Sequence, residues 1–366
     1  MISKDSIKTS VKKHPLLYAL ASLATLATRY EGRTWEQKLQ FARKKYLQYR
    51  YSMPYTIAFE PISHCVLNCE FCILQELKWW KYRKKARMTL DEFKKILDDI
   101  SWFTTDIQFS GGEPILNPDI FRMLRYCREQ NIYTLLPTNG ILLNHKNNIE
   151  DILRDPPDKL LLAYESVSQD NYERIRRKAN DSRGDFDKFM SNIQSLIAAK
   201  KKSGQKYPII ILQMVLTKKN QHEVELFWKS VKELEADYGS IKALGIWPEG
   251  NPEYDKKMIE EYIVPLSENP ISRHDIDQNG NVTFLRKPGQ CPAIKHCYIG
   301  SGGEVIPCWY IIVKTKVMGN ALEQNFVDIW NSTDYKEYRQ KMLHEWANSL
   351  CHRCIGIGAT GQKKAV

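Results

Sequence analysis

Three cysteines, Cys65, Cys69 and Cys72, fall within eight positions of the stretch SHCVLNCEFCILQ, residues 63–75, and no fourth follows nearby. Thiolates so closely spaced suit a metal, and structural zinc sites and iron–sulfur cubanes normally take four protein ligands. A zinc ion completed by His64 is one reading, although adjacent residues rarely point their side chains at the same ion. The other is a four-iron cluster held by three thiolates, with one iron left open for a small molecule. The withheld ligand is then the active feature, because an open coordination position separates catalytic metals from structural ones.

The segment SGGEP, residues 110–114, closes a predicted strand. Its glycines let a backbone edge approach a ligand closely, and its carbonyls and Glu113 accept hydrogen bonds from an ammonium. Taken alone it reads equally well as a generic strand-to-helix turn. Further cysteines stand at Cys291, Cys297 and Cys308, with a CxxC pair at Cys351 and Cys354. Two distant cysteines plus a CxxC pair also suit a structural zinc site. Cys127, beside Met123 and Leu124 on a predicted helix, reads as core. No Ser–His–Asp set, P-loop or HExxH competes with the cysteines.

Short β-rich runs at 56–62, 106–111, 132–139, 159–166, 209–217 and 241–248 alternate with helical patterns at 89–102, 118–130, 147–154, 168–200 (interrupted near Gly184) and 221–236. Six β/α units in a row imply parallel strands with right-handed crossovers, as an open doubly wound sheet or a barrel. After Pro248 this rhythm stops. The expected organisation is a basic helical segment over 1–54, a core over 55–248 and a cysteine-organised module over 249–366.

The chain has 366 residues, 43% of them hydrophobic, which excludes a disordered protein. Its net charge of +11 suggests an acidic partner. Residues 1–55 carry net +8 and KWWKYRKKAR, residues 78–87, six cations and no acid, so the rest of the chain is net −3. The apolar run from Pro15 to about Ala27 imitates a signal peptide but is too short to span a bilayer. With Leu16, Leu20, Leu23 and Ala27 on one face, it reads as an amphipathic docking helix. An odd cysteine count at metal-like spacing suits a reducing cytosol.

CxxxCxxC with Phe71 before its third cysteine, just after the first strand of a β/α series, resembles the radical S-adenosylmethionine (SAM) superfamily. SGGEP one unit downstream, with Gly111, Gly112, Glu113 and Pro114, and PTNG with Asn139 after the third strand, strengthen the likeness. The fold it implies is a partial (β/α)6 TIM-like barrel with its chemistry at the carboxyl ends of the strands. It implies that SAM chelates the open iron of a [4Fe–4S] cluster and is cleaved by one electron to a 5′-deoxyadenosyl radical that abstracts hydrogen from substrate. After the fourth strand the chain reads LAYESVSQDNYERIRR, so Ala163, Glu165 and Ser166 depart from the family's Ser-x-Asp-Gly. The resemblance leaves Glu165 to bond a ribose hydroxyl and Arg176 to pair with the SAM carboxylate. Equally, each is a strand end or a solvated helix residue.

Residues 291–354 resemble the SPASM and shorter twitch extensions of the same superfamily, carried by Cys291, Gly303 five positions before Cys308, Gly319-Asn320, Trp330 and Cys351-x-x-Cys354. The likeness implies one auxiliary [4Fe–4S] cluster on Cys291, Cys308, Cys351 and Cys354. Cys297 is a fifth candidate ligand, but its strand-like neighbours in KHCYIG make it read as a buried small residue. It also implies a flavodoxin or ferredoxin as reductant.

The expected activity is hydrogen abstraction from an anionic small molecule (a sugar, cyclitol or lipid-linked compound), followed by oxidation or bond formation. The alternatives are a maturase of a ribosomally made peptide and a metal-stabilised nucleic-acid-binding protein. The N-terminal 55 residues read as helices and not as a winged peptide-recognition module, which disfavours peptide. An open iron has no use in a nucleic-acid-binding module. KWWKYRKKAR reads equally as a solvated helix whose aromatics pack inward and as a membrane–water interface, where Trp and Tyr sit among Lys and Arg as they also do in 35–50. The expected place is cytoplasmic, with peripheral contact at the inner face of the membrane.

Overall fold

A computed structural model describes residues 33–180, 182–245, 252–272, 274–276, 282–284, 291–308, 315–345 and 361–364. Its centre is a run of six parallel strands: β1 (Thr56–Ile62), β2 (Asp106–Gly111), β3 (Tyr133–Thr138), β4 (Lys159–Ala163), β5 (Ile209–Leu216) and β6 (Tyr238–Ala243). They pair in chain order, and β1 and β6 do not pair with each other, so the curved sheet is an open, partial barrel.

Helices α3 (Leu90–Ile100), α4 (Ile120–Glu129), α5 (Asn148–Arg154), α7 (Phe186–Ser203) and α8 (Val224–Glu233) cross between the strands. Each exists because its apolar residues recur at helical spacing. In α3 the buried set is Leu90, Phe93, Ile96, Leu97 and Ile100. Thr89 starts that helix with a capping box to Glu92, satisfying donors that the first turn leaves free. The helices' apolar stripes meet Ile57, Phe59, Phe109, Leu136, Leu160, Leu162, Leu212 and Met214 on the outer face of the sheet, the main core. A short helix, α6 (Gln169–Ile175), precedes α7, with the break near Gly184 where the sequence places it.

The sixth strand begins three residues earlier than the apolar run at 241–248 indicates. Tyr238 already pairs with Ile211 of β5, and a Tyr-Gly-Ser start has no local strand signature.

Helix α1 (Trp35–Arg50) docks at the amino-terminal ends of the strands. Phe41 and Ala42 pack against Tyr133, and Lys45 pairs with Asp106 at 2.9 Å. Lys44 donates to the Gln130 carbonyl at 2.7 Å, and Arg33 pairs with Asp158 at 2.9 Å. Several of the cations read as a membrane surface therefore hold this helix to the barrel floor. Trp35 and Leu39 remain exposed. The apolar run at 15–27 lies outside the described residues.

The C-terminal strands continue the same sheet. Strand β9 (His296–Ile299) pairs in parallel with β1, β10 (Glu304–Ile306) returns antiparallel, and β11 (Gly319–Asn320) follows at that edge. At the other edge β12 (Gly361–Lys364) pairs antiparallel with β6. A separate hairpin joins β7 (His274–Ile276) to β8 (Val282–Phe284). Helix α9 (Pro252–Glu261) covers the cysteine-bearing end, and α10 (Phe326–Asn331) and α11 (Thr333–His344) pack beside β9, with Phe326, Trp330 and Tyr335 in the main core. Among the described residues no helix is long and apolar enough to cross a membrane.

Candidate active site

Cys65, Cys69 and Cys72 lie on the loop that leaves the carboxyl end of β1, all half-buried and unbridged. Cys72 caps a one-turn helix, α2 (Ile73–Glu76). Burial raises the Cys65 thiol pKa, and the Glu113 carboxylate adds to the rise. Burial and the neighbouring Cys69 push Cys72 up to about 11. Among the described residues no three His, Cys, Asp or Glu side chains converge as ligands of a single ion.

Donors are already aimed at the sulfurs. Arg176 Nη1 donates to Cys69 Sγ at 3.3 Å, Asn139 Nδ2 to Cys65 Sγ at 3.7 Å and the Leu67 amide to Cys65 Sγ at 3.4 Å. Such groups favour the thiolate that a cluster needs. The cup therefore fits a [4Fe–4S] cluster bound through three cysteines.

The GGEP loop is built against this cysteine loop. Gly112 N donates to the Ile62 carbonyl and Glu113 N to the His64 carbonyl, at 3.0 and 2.8 Å. A Cβ on Gly112 would stand 1.9 Å from the His64 oxygen, and Gly111 has φ +106° with the Ile62 oxygen 2.7 Å from its missing Cβ. The close approach these glycines permit is thus backbone to backbone, between the two loops. Pro114 starts a buried single turn at 114–116.

Glu113 is buried and faces protein donors. Its carboxylate accepts from Thr138 Oγ1 at 2.8 Å, Ile115 N at 3.1 Å and Asn139 N at 2.8 Å. It fastens the GGEP loop to the PTNG loop, where the sequence had suggested an acceptor for a ligand's ammonium. Burial raises its pKa against those hydrogen bonds.

Glu165 and Arg176 meet as a buried pair at 2.7 Å. Glu165 also accepts from the Val215 amide at 2.8 Å, and Arg176 Nη2 donates to the Ala163 carbonyl at 3.3 Å. The Arg176 Nε is buried with no hydrogen-bond partner. Phe71 packs edge-to-face on Tyr262, their ring centres 6.2 Å apart, beneath α9.

Lys242 has no local signature and was missed. Ile241 lies in the helix-side core, so strand alternation turns Lys242, paired with Val215, to the concave side. It is accessible yet walled in: burial lowers its pKa, Glu165 opposes that and Arg176 adds to it. It makes no hydrogen bond or ion pair among the described residues.

At the C-terminal end Cys291 and Cys308 share a small apolar cluster with Tyr338 and Met342. Cys351 and Cys354 lie outside the described residues. Cys297 is in the main core beside Ile57, and Cys127 is core on α4.

Residues 59–228 match the radical SAM superfamily and residues 291–355 match SPASM, an iron–sulfur cluster-binding domain. The AdoMet-dependent heme synthase of Methanosarcina barkeri is 24% identical over 77% of this chain and 83% of that protein. The mycofactocin maturase MftC of Mycobacterium tuberculosis is 20% identical over 78% of this chain and 73% of its own length. Among solved structures, SuiB of Streptococcus suis bound to precursor peptide SuiA superposes with TM-score 0.58 at 18% identity, covering 89% of this chain and 76% of SuiB.

Proposed function

The chain belongs to the radical SAM superfamily and carries a SPASM domain, and from that premise we propose that it matures a ribosomally made peptide. SAM with a [4Fe–4S] cluster supplies a hydrogen-abstracting radical, and an auxiliary cluster is carried by the SPASM domain. What supports a peptide substrate is that a relative and a structural neighbour spanning both halves of the chain are a maturase and an enzyme crystallised with its precursor peptide. An anionic small molecule, the first expectation from sequence, has less behind it. The helical reading of 1–55, taken from sequence as disfavouring peptide, carries little weight, since α1 sits on the barrel floor, away from the site, and residues 1–32 lie outside the described residues.

In this reading Cys65, Cys69 and Cys72 hold the catalytic cluster, and Cys291, Cys308, Cys351 and Cys354 the auxiliary one. Arg176 and Asn139 steady the thiolates. Gly111 and Gly112 bring the backbone edge of the loop against the cysteine loop, so the ammonium of SAM falls to main-chain carbonyls. Glu113 holds that edge in place. Glu165 is oriented by Arg176 and the Val215 amide towards the ribose, and the Arg176 Nε is left for the SAM carboxylate. Phe71, Tyr262 and α9 exclude water above the cysteine loop.

A second reading, a small carboxylate-bearing substrate, draws on Lys242, a lumen cation with no partner among the described residues, and on the heme synthase relative. The test incubates reconstituted, reduced enzyme and SAM with precursor-like peptides encoded beside the gene, and separately with tetrapyrrole carboxylates, reading products by mass spectrometry. Loss of two hydrogens from a peptide supports the proposal; turnover of the tetrapyrrole alone replaces it.

A further inference from the structure

The segment KWWKYRKKAR has a fixed inner side and a charged outer side. Trp79 is buried, and the Arg83 guanidinium lies 4.9 Å over its ring and 5.9 Å from Tyr298. Arg83 Nε donates to Glu60 of β1 at 2.9 Å, and Tyr298 of β9 donates to the same carboxylate at 2.6 Å. This buried node pins the strip to the sheet and withdraws one tryptophan from the surface, with Trp80 half-buried. That takes one of the strip's three aromatic residues out of the belt that made a membrane attractive.

What remains outside is cationic. Lys78, Lys81, Lys84 and Arg87 are exposed and make no side-chain hydrogen bond or ion pair among the described residues, and Tyr82 is 58% exposed between them. Both ends of the strip are tied to the cysteine loop. Lys78 follows Cys72 by six residues, four of them the single turn of α2, which rises about 1.5 Å per residue. At the other end Arg87 bridges to Ile62, and the Ser63 amide donates to the Ala86 carbonyl at 2.9 Å.

Resting on the radical SAM reading, we propose that this strip is the docking surface for an acidic, soluble one-electron carrier protein of the flavodoxin or ferredoxin kind. The cluster must receive its electron over a short path, and the strip is unpaired positive charge at the border of the cluster's own loop. Complementary charge there steers encounter and fixes orientation while adding little to tight binding. In the step itself the carrier loses one electron and the cluster gains one, with no bond made or broken. RNA shares the carrier's sign, but nothing in its recognition calls for a surface beside a redox centre.

The experiment uses the full chain with reconstituted clusters and follows SAM cleavage driven either by reduced flavodoxin or by dithionite. The variant combines Lys78→Glu, Lys81→Glu, Lys84→Glu and Arg87→Glu; a second carries serine at the four positions, and iron content checks both. Expected is a fall of about tenfold or more in the flavodoxin-driven rate for the glutamate variant, less for serine, with the dithionite rate unchanged. The wild-type flavodoxin rate should itself drop as salt rises. An unchanged flavodoxin rate overturns the proposal, and so does an equal loss with both reductants. Loss of RNA or anionic-vesicle binding with electron transfer intact assigns the strip to that partner instead. Failure of wild-type SAM cleavage with dithionite defeats the radical SAM reading separately.

Discussion

Arg176 donates to the Cys69 sulfur at 3.3 Å while the same guanidinium pairs with Glu165 at 2.7 Å. One side chain thus joins a cysteine proposed to hold the cluster to the residue proposed for the ribose. A hydrogen bond to a ligating sulfur withdraws charge from it and raises the cluster's reduction potential. Arg176→Gln should therefore lower the midpoint potential, measured by electron paramagnetic resonance in the absence of SAM, with iron content kept. Arg176→Lys should restore part of it. An unmoved potential would leave Arg176 only its pairing with Glu165.

Glu113 accepts three hydrogen bonds, two of them from backbone amides. Glu113→Gln must place an amide NH2 against a donor in either orientation, a mismatch that costs about 1–3 kcal/mol. The expected result is lower thermal stability and weaker SAM binding by calorimetry, with the cysteine ligands still loaded with iron. Wild-type SAM affinity in the variant would show that the latch between the two loops does not shape the site.

Lys242 faces the lumen without a partner among the described residues. Lys242→Met should leave SAM cleavage in the absence of substrate unchanged and raise the KM of a carboxylate-bearing substrate roughly tenfold, a loss of about 1.4 kcal/mol. Impaired cleavage without substrate would place Lys242 on SAM.

His296, on β9 near Asp106 and Lys45, has its pKa lowered to about 4 by burial. The folded imidazole stays neutral where the unfolded one has taken a proton. Its contribution to stability is therefore intact above the unfolded value of 6.5 and is lost as pH falls towards 4, up to about 3 kcal/mol. The wild type should lose more melting temperature than His296→Phe across that window. Parallel curves would remove His296 from the acid response.

The parallel core was legible because β1, β2, β3 and β5 are apolar, β-branched runs bounded by turn residues, and the α3 and α4 stripes have helical spacing. The cysteines and GGEP were legible as chemistry because the signal is local. What their geometry does was not. Gly112 is matched to His64 and Glu113 to Asn139 across loops that meet only when β1, β2 and β3 align. Lys242 became visible only through its register with Val215. Trp79 read as either surface or inward-packed beside its cations, and the residues it packs with, Ala58, Tyr298 and Ile306, come together only when β1, β9 and β10 pair.

The central claim is that Cys65, Cys69 and Cys72 hold an open-iron cluster that cleaves SAM. The most direct measurement is 5′-deoxyadenosine formation, with iron content, in the Cys65→Ala/Cys69→Ala/Cys72→Ala variant after anaerobic reconstitution and dithionite reduction. Two cubanes give about eight irons per wild-type chain, so the account predicts that the variant keeps about half and forms no 5′-deoxyadenosine. Product formation at the wild-type rate would contradict it.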